Sequence, residues 1–392
     1  MKLLNNLKLV LGGVAVASIA ACGGGGGGTA ETGTLKLALT DAPACGYDAV
    51  NVTILKVRVH QSASASGAVG EGGWSEIDFT ERPLHVDLLK LQNGDLAELG
   101  EVTLPTGSYN QMRLVLADNK TTPLANTVVL TKDQTVVELD APSGSQSGVK
   151  AKQFKIDIGP NQLANFVIDF DACKSVVVAG NAGKYLLKPQ LTVIPRYISG
   201  VKGSVQLPLV TGYTNVSLQQ DGVAVKATAP DVYGNFLLPV APGSYTLVMT
   251  ALGRTTSVVT GVTVASEKVT EVTPLSTPPV SDTGILSGTA PVDTLVRVLQ
   301  PLTLTSGNPA SVEVAGQFVN GITGSYSYTV PVAAPRIASY VAAPNVLAFS
   351  PDTAAAGKYS VKASLTGFAD KAAALVTPLA KDATITNNFT FP

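Results

Sequence analysis

The chain has 392 residues, 45% of them hydrophobic, which is enough for two to four domains with cores of their own. Only 14% of residues are charged and the formal net charge is −1, which argues against a nucleic-acid-binding protein. Two histidines and three cysteines leave little material for a zinc site or a histidine-based catalytic centre. The abundance of Gly (38) and Pro (24) among Val, Thr and Ala predicts an all-β fold of short strands and turns.

The first predicted element is a targeting segment over residues 1–21. An apolar run over residues 9–21 follows two lysines, and it has the length of a signal-peptide core rather than of a membrane span. The run ends in Ala20-Ala21-Cys22, which resembles the bacterial lipobox, and a glycine-rich tether over residues 22–32 follows. The alternative is an ordinary secretory signal that happens to end near a cysteine.

The lipobox resemblance implies a membrane anchor. Cys22 is then the first residue of the mature chain and carries fatty acyl groups such as palmitate, which attach the protein to a membrane of the cell envelope. Gly23 is not the acidic residue that favours retention at the inner membrane, so the resemblance implies the outer membrane.

Residues 33–196 are predicted to form an antiparallel β-sandwich of about nine strands. Leu35, Leu37 and Leu39 alternate with less apolar residues, as in a half-buried strand. In the next strand the apolar positions change parity after Ile54, which predicts a β-bulge there.

Two cysteines remain once Cys22 is set aside. Cys45 and Cys173 each follow a predicted strand, and an extracytoplasmic location is oxidising. We therefore predict a Cys45–Cys173 disulfide; the alternative is a pair of buried free thiols.

The rest of the chain contains a repeat. Gly243-Ser-Tyr245 and the following strand match Gly357-Lys-Tyr359 and its strand, each ending in a second glycine ten residues after the first. This predicts two β-modules at 197–276 and 283–392, joined by a linker at 277–282, and the second carries an insertion at about 333–354.

The first predicted domain resembles a known family. The resemblance rests on Asp41-Ala-Pro, Lys56-Val-Arg-Val-His60, Trp74, Val86-Asp-Leu-Leu89, Leu104-Pro-Thr-Gly-Ser-Tyr-Asn-Gln-Met-Arg-Leu114 and Lys184-Tyr-Leu-Leu-Lys-Pro-Gln190. The family is that of bacterial lipoproteins with a domain of unknown function 4382, which implies an envelope location and a β-sandwich but no activity.

The two later modules resemble the carboxypeptidase regulatory-like module. That family has a small Ig-like, prealbumin-like sandwich grouped with carbohydrate-binding-like folds, and its Gly-x-Tyr motif has a structural role. Fold analogy alone does not confer sugar binding.

Few residues carry catalytic chemistry. His60 and His85 lack carboxylate partners at metal-ligand spacing, and His85 suits the solvent face of a strand. Asp169 and Asp171 either contribute to a calcium site or form a solvated face beside a turn. We find no hydrolase, metalloprotease or phosphate-loop motif, and we predict a non-enzyme with no catalytic residue, metal or cofactor.

Aromatic residues are the candidate ligand contacts. Trp74 either provides a stacking surface or caps the sandwich core, and Tyr326 and Tyr328 lie beside the inserted loop. The tyrosines at one motif position, Tyr109, Tyr245 and Tyr359, are predicted to pack in their cores.

Two classes of function follow. In the first, the chain is a lipid-anchored envelope protein with a structural, adhesive or protein-contact role, its later modules acting as spacers or contact surfaces. In the second, it is a surface-displayed protein that binds polysaccharide through exposed aromatic residues. The low aromatic content, 6%, favours the first. The expected partners are the membrane and either envelope proteins or polysaccharide, and not nucleic acid.

Overall fold

A computed structural model describes residues 31–41, 46–68, 70–120, 122–152, 154–180, 183–206, 209, 213–303 and 311–392. The targeting segment, Cys22 and Cys45 lie outside these residues. Strands dominate the described chain and its helices are short, so the predicted all-β fold is confirmed.

The first unit contains fifteen strands, most of them short. They are β1 (Thr32–Asp41), β2 (Tyr47–His60), β3 (Ser75–Asp78), β4 (Leu84–Asp87), β5 (Ala97–Pro105), β6 (Gly107–Tyr109), β7 (Gln111–Leu116), β8 (Thr127–Leu130), β9 (Val136–Asp140), β10 (Val149–Lys150), β11 (Ile156–Ile158), β12 (Leu163–Phe170), β13 (Val176–Ala179), β14 (Lys184–Leu187) and β15 (Leu191–Pro195). Two α-helices, α1 (Pro142–Gln146) and α2 (Ala172–Ser175), and a 3-10 helix, Leu88–Lys90, lie between them.

Two main sheets enclose the core of this unit. One has the order β15-β12-β1-β5 and the other β10-β7-β2-β8-β9-β14-β13, with β3 and β4 also pairing with β2. Most pairs are antiparallel, whereas β1 with β12 and β9 with β14 are parallel. The three leucines of β1 are buried, and the register of β2 against β7 shifts between Ile54 and Lys56, so the predicted bulge is confirmed.

The second and third units together contain sixteen strands. The second has β16 (Gly200–Ser204), β17 (Thr214–Gln220), β18 (Val223–Thr228), β19 (Asn235–Pro239), β20 (Gly243–Ala251), β21 (Ser257–Val264) and β22 (Val269–Glu271). The rest of the chain forms β23 (Thr283–Thr289), β24 (Leu295–Pro301), β25 (Ser311–Phe318), β26 (Ser325–Pro331), β27 (Arg336–Ser339), β28 (Ser350–Pro351), β29 (Ser360–Ser364), β30 (Lys371–Ala374) and β31 (Thr384–Thr386), with a 3-10 helix at Thr353–Ala355.

These two units share one strand order. The second pairs β19-β16-β22 in one sheet and β18-β17-β20-β21 in the other. The third pairs β26-β23-β31 and β25-β24-β29-β30, which are the equivalent strands in chain order once β27 and β28 are set aside. In both small sheets the first pair is antiparallel and the second parallel. This is the strand order that a repeat predicts; the predicted domain boundaries stay predictions.

The insertion of the third unit extends the sheet of the second. Strand β27 pairs in parallel with β21, and β28 pairs with β27, so the sheet becomes β18-β17-β20-β21-β27-β28. The two repeats are therefore joined by backbone hydrogen bonds as well as by the linker.

The tyrosines of the repeated motif, Tyr109, Tyr245 and Tyr359, each donate a hydrogen bond to a backbone carbonyl. Tyr109 donates to the carbonyl of Pro105 at 3.0 Å and Tyr245 to that of Ala241 at 2.9 Å, each four residues upstream. Tyr359 instead donates to the carbonyl of Pro331, which lies on the other side of the insertion. All three rings are buried, so their predicted packing role is confirmed. Gly357 has a positive φ of 62°, whereas Gly243 begins a strand.

Candidate functional site

The three units meet at a common junction, which contains several ion pairs with little exposure to solvent. Between the first and second units, Lys226 Nζ lies 2.6 Å from Asp169 Oδ1, and their side chains are only 6% and 15% exposed. Nearby, Thr228 Oγ1 accepts from the backbone N–H of Asn93 at 3.0 Å and donates to its side-chain oxygen at 3.1 Å. Removing one partner of a buried ion pair leaves an uncompensated charge at the interface, so the interface depends on this pair.

The second and third units share an amide clamp. Gln219 Nε2 donates to the carbonyl of Glu313 at 2.8 Å, and the backbone N–H of Glu313 donates to Gln219 Oε1 at 2.9 Å. The Gln219 side chain thus satisfies the backbone of the edge strand β25 in the way that another strand would.

An apolar cluster lies in the same interface. Its buried members are Val248 and Val258 of the second unit and Leu302, Val312 and Ile337 of the third. A core shared between two units resists their separation, because separation would return this surface to water.

The first and third units are joined by a chain of charges. Lys174 Nζ lies 3.0 Å from Asp171 Oδ2 and 3.8 Å from Glu313 Oε1, and Glu313 Oε2 lies 3.8 Å from Arg297. Attraction to Asp171, then to Glu313, raises the pKa of Lys174 despite its burial. Lys188 also pairs with Asp293.

Sequence reasoning missed this junction. Strand β17 alternates Asn215, Val216, Ser217, Leu218 and Gln219, a pattern typical of a strand with one face in water. The structure instead covers the polar face with the third unit. The sequence did signal that two repeats are joined by a short linker and so lie close together. A repeat does not specify, however, which faces of the two modules meet.

Of the three cysteines in the predictions, only Cys173 is among the described residues. Cys173 lies in α2. Cys22 and Cys45 lie outside the described residues, so the lipidation of Cys22 and the pairing of Cys45 with Cys173 stay predictions.

Trp74 is half-buried under a loop of the first unit. Arg58 stacks over its ring at 4.6 Å, the ring of His60 lies 5.1 Å away, and Nε1 donates to the carbonyl of Ser66 at 3.0 Å. A second guanidinium, that of Arg113, lies 5.9 Å from the ring. These contacts hold the indole against its loop and two guanidinium groups; the choice between a cap on the sandwich core and a stacking surface stays a prediction.

The other predicted polar candidates have structural contacts. The Nδ1 atom of His60 accepts from the backbone N–H of Ser62 at 2.8 Å. His85 is exposed on its strand, as predicted, and its Nδ1 lies 2.8 Å from Thr53 Oγ1.

Asp169 and Asp171 do not act as a pair. Asp169 binds Lys226, whereas Asp171 is the N-cap of α2, where its Oδ1 accepts from the backbone N–H of Lys174 at 2.9 Å. Each carboxylate already has a lysine partner, so the calcium interpretation loses its support.

Tyr326 and Tyr328 are core residues rather than surface ligand contacts. They are 4% and 7% exposed, and their hydroxyls donate to the carbonyls of Asn387 and Val296. Burial raises the pKa of Tyr326 to about 12. The inserted loop does not hold them at the surface because it leaves the third unit to join the sheet of the second.

The described ranges lack two features, a metal site and a membrane-spanning helix. No three His, Cys, Asp or Glu side chains within them come together to hold a metal ion. Within the same ranges, no helix is long and apolar enough to cross a membrane.

Comparisons with known proteins find one matching family and several distantly similar structures. A comparison with curated proteins yields no match. The TIE protein of Bacillus anthracis is 12% identical with a TM-score of 0.18; the alignment covers 92% of this chain and 50% of that one. A putative adhesin from Bacteroides ovatus is 12% identical with a TM-score of 0.18, covering 49% of this chain and 92% of that one. The pilus adhesin SpaC from Lactobacillus rhamnosus GG is 12% identical with a TM-score of 0.15, covering 92% and 43%.

The chain thus spans about half of the length of the Bacillus anthracis protein. Residues 32–189, which form nearly all of the first unit, match the family described as Domain of unknown function (DUF4382).

Proposed function

We propose that this chain is a lipid-anchored, non-catalytic protein of the bacterial cell envelope, and that its three β units act as one rigid body in protein contacts. The observation that carries the proposal is the junction, where Lys226–Asp169, the Gln219 clamp and the shared apolar cluster bury inter-unit contacts. Spacers in a flexible stalk need no such contacts, so of the two roles expected for the later modules we favour a contact surface.

The non-catalytic part of the proposal is supported by how the reactive side chains are used. Both histidines and the two acidic candidates make the structural contacts described above. The described tyrosines with raised pKa values owe the shift first to burial, as core residues do. Lys174, whose pKa is also raised, owes the shift first to Asp171, with which it forms an ion pair at the junction.

The anchor is tested by the Cys22→Ala variant in the native cell. We expect the wild-type protein to incorporate labelled palmitate and to stay with the membrane fraction after a high-salt wash. The variant should incorporate none and appear in the soluble fraction. A variant that keeps its membrane association would place the anchor elsewhere and overturn this part of the proposal.

The contact role is tested by photo-cross-linking in intact cells. The loop residues Val232 and Tyr233 are 76% and 77% exposed, and a photoreactive amino acid at Tyr233 reports on partners of the second unit. Lys120, whose side chain is 83% exposed in the first unit, serves as the comparison site. We expect a discrete adduct from at least one site; monomer alone at both would count against a contact role.

A further inference from the structure

Strand β30 is a free edge of the third unit. It is the last strand of the sheet β25-β24-β29-β30, and no strand of the described chain pairs with its outer side. The backbone N–H of Leu375 donates to the carbonyl of Tyr359 at 2.9 Å, which fixes the residues that face β29. Because backbone groups alternate along a strand, those of Ala372 and Ala374 face away from β29, and both residues are exposed. They offer unpaired donors and acceptors to a further strand.

The equivalent edge of the second unit is covered by a strand. In the strand order that the two units share, β21 has the place of β30. Strand β27 pairs with β21 in parallel, and the N–H groups of Arg336 and Tyr340 donate to the carbonyls of Thr256 and Thr260, both at 2.8 Å. The molecule itself thus shows what this edge accepts, which is a parallel strand supplied from outside the unit.

The strand registers align the two edges residue by residue. Ser257 of β21 pairs with Met249, and Lys371 of β30 pairs with Ala363. Met249 and Ala363 each lie four residues after the motif tyrosine of their unit. Ser257 therefore corresponds to Lys371, and the residues that follow on the two strands correspond one to one.

The burial of the two edges differs at these corresponding positions. Val258 and Val259 are 0% and 1% exposed, because β27 lies beside them. Their counterparts Ala372 and Ala373 are exposed and partly buried, respectively. The third unit therefore has the same edge as the second without the strand that covers it.

The size of Ala373 indicates which residue an added strand would place beside it. In the second unit, Val259 pairs with Ala338 of β27, and both belong to the core of that unit. Ala373 packs against the core of the third unit but has a smaller side chain than its counterpart Val259. A larger apolar residue than alanine, such as valine or isoleucine, is needed beside it to fill the same layer at the density of a protein interior.

The charge of Lys371 indicates a second residue of the added strand. Lys371 lies on the same face of β30 as Ala373, two residues away. Asp370 pairs with Lys362 at 2.8 Å, and no carboxylate of the described chain forms an ion pair with Lys371. On β27 the corresponding position is Arg336, which a lysine would repel. A carboxylate suits this position, because opposite charges on neighbouring strands attract.

We propose that β30 accepts, in parallel, an extended segment of another cell-envelope protein, with valine or isoleucine beside Ala373 and aspartate or glutamate beside Lys371. Backbone hydrogen bonds to the free edge supply affinity, and these two side chains supply selectivity. The inference rests on the contact role proposed above, to which it adds the surface and the chemistry of the partner.

The test is the binding of a synthetic strand to the detergent-solubilised full chain. The probe is the fluorophore-labelled peptide Thr-Glu-Thr-Ile-Thr-Val-Thr, whose register places its glutamate beside Lys371 and its isoleucine beside Ala373. A second peptide has lysine in place of the glutamate. By fluorescence anisotropy, we expect the acidic peptide to bind about threefold more tightly than the basic one. The Lys371→Glu variant should reverse this preference.

Proline and valine variants separate strand pairing from side-chain contacts. Ala372→Pro removes an N–H that faces outward and leaves the bonds between β30 and β29, as a proline on an edge strand can. It should weaken binding of the acidic peptide about three- to tenfold, the effect of one lost hydrogen bond. The matched control Ala372→Val keeps the N–H and should bind like the wild type. If Ala372→Pro lowers the melting temperature, Ala374→Pro makes the same measurement.

Three results with the peptides would overturn the proposal. The first is the absence of binding by the acidic peptide at millimolar concentration. The second is wild-type affinity in the proline variants. The third is a Lys371→Glu protein that still prefers the acidic peptide.

Photo-cross-linking at Val376 tests the same edge in intact cells. Val376 is 100% exposed and lies just beyond β30. We expect a discrete adduct with another protein, lost in the Ala372→Pro background and kept in the Ala372→Val background. An adduct that survives Ala372→Pro, or one between two copies of this chain, overturns the proposal. Adducts from Tyr233 or Lys120 with none from Val376 overturn it and leave the contact role standing, whereas no adduct from any of the three overturns both.

Discussion

Removing the charge of Lys226 tests whether the three units unfold together. The Lys226→Met variant keeps most of the apolar stem but leaves Asp169, 15% exposed, without its counter-ion. Loss of one partner of a buried ion pair destabilises a protein by several kcal/mol, and residual hydration of Asp169 places this case at about 3 kcal/mol, the low end.

The sole tryptophan makes the assay specific to the first unit. Trp74 lies in the first unit and Lys226 in the second, so fluorescence-monitored urea unfolding of Trp74 responds to Lys226→Met only if the units are coupled. We expect the free energy of unfolding reported by Trp74 to fall by about 3 kcal/mol.

Two further variants complete the measurement. Lys202 pairs with Glu271 in the same unit at 3.2 Å, but these side chains are 53% and 59% exposed, so Lys202→Met should change stability by less than about 0.5 kcal/mol. The double variant Asp169→Leu/Lys226→Met should recover most of the loss, because no buried charge remains. If Lys226→Met leaves the Trp74 transition unchanged, the units unfold independently and the rigid-body argument is refuted.

Three other predictions concern single contacts. Tyr245→Phe loses one hydrogen bond and should lower the free energy of unfolding by about 1 kcal/mol. Tyr359→Phe should lower it about twice as much, because Gln300 Nε2, 3.3 Å from the Tyr359 hydroxyl, also loses its acceptor. Equal losses for the two variants in urea unfolding would contradict this. Gly357→Ala should destabilise the third unit by about 1–3 kcal/mol, since φ is +62° and a Cβ would lie 2.6 Å from the carbonyl oxygen of Leu379; an unchanged melting temperature would contradict it. The pKa of Asp78 is lowered to about 2 by hydrogen bonds from Thr80 and Lys56, so its stabilisation is present above its ordinary pKa of 3.8 and is lost as the pH falls toward 2. In the Asp78→Asn variant, the free energy of unfolding should therefore fall slightly less steeply as the pH is lowered below about 4 than in the wild type. The difference is small because the Asp78 side chain is 44% exposed. An unchanged slope in that pH range would count against this assignment.

Local patterns predicted a large part of this fold. The sequence predicted the buried leucines of β1, the bulge after Ile54 and the packing of Tyr245 and Tyr359. It could do so because strand periodicity and turn chemistry depend on residues close in sequence. The matching strand orders of the second and third units have the same origin, since similar local patterns fold into similar modules.

Tertiary structure alone decided what covers each module. The period-2 pattern of β17 shows that its two faces differ, but it does not reveal whether water or another unit covers the polar one. The structure covers Gln219 with β25 and buries Lys226 against Asp169, 57 residues away in the chain. It also places β27 in the sheet of the preceding repeat. Such contacts depend on surfaces that exist only after each unit has folded, so the sequence determined the modules, and their packing determined the junction.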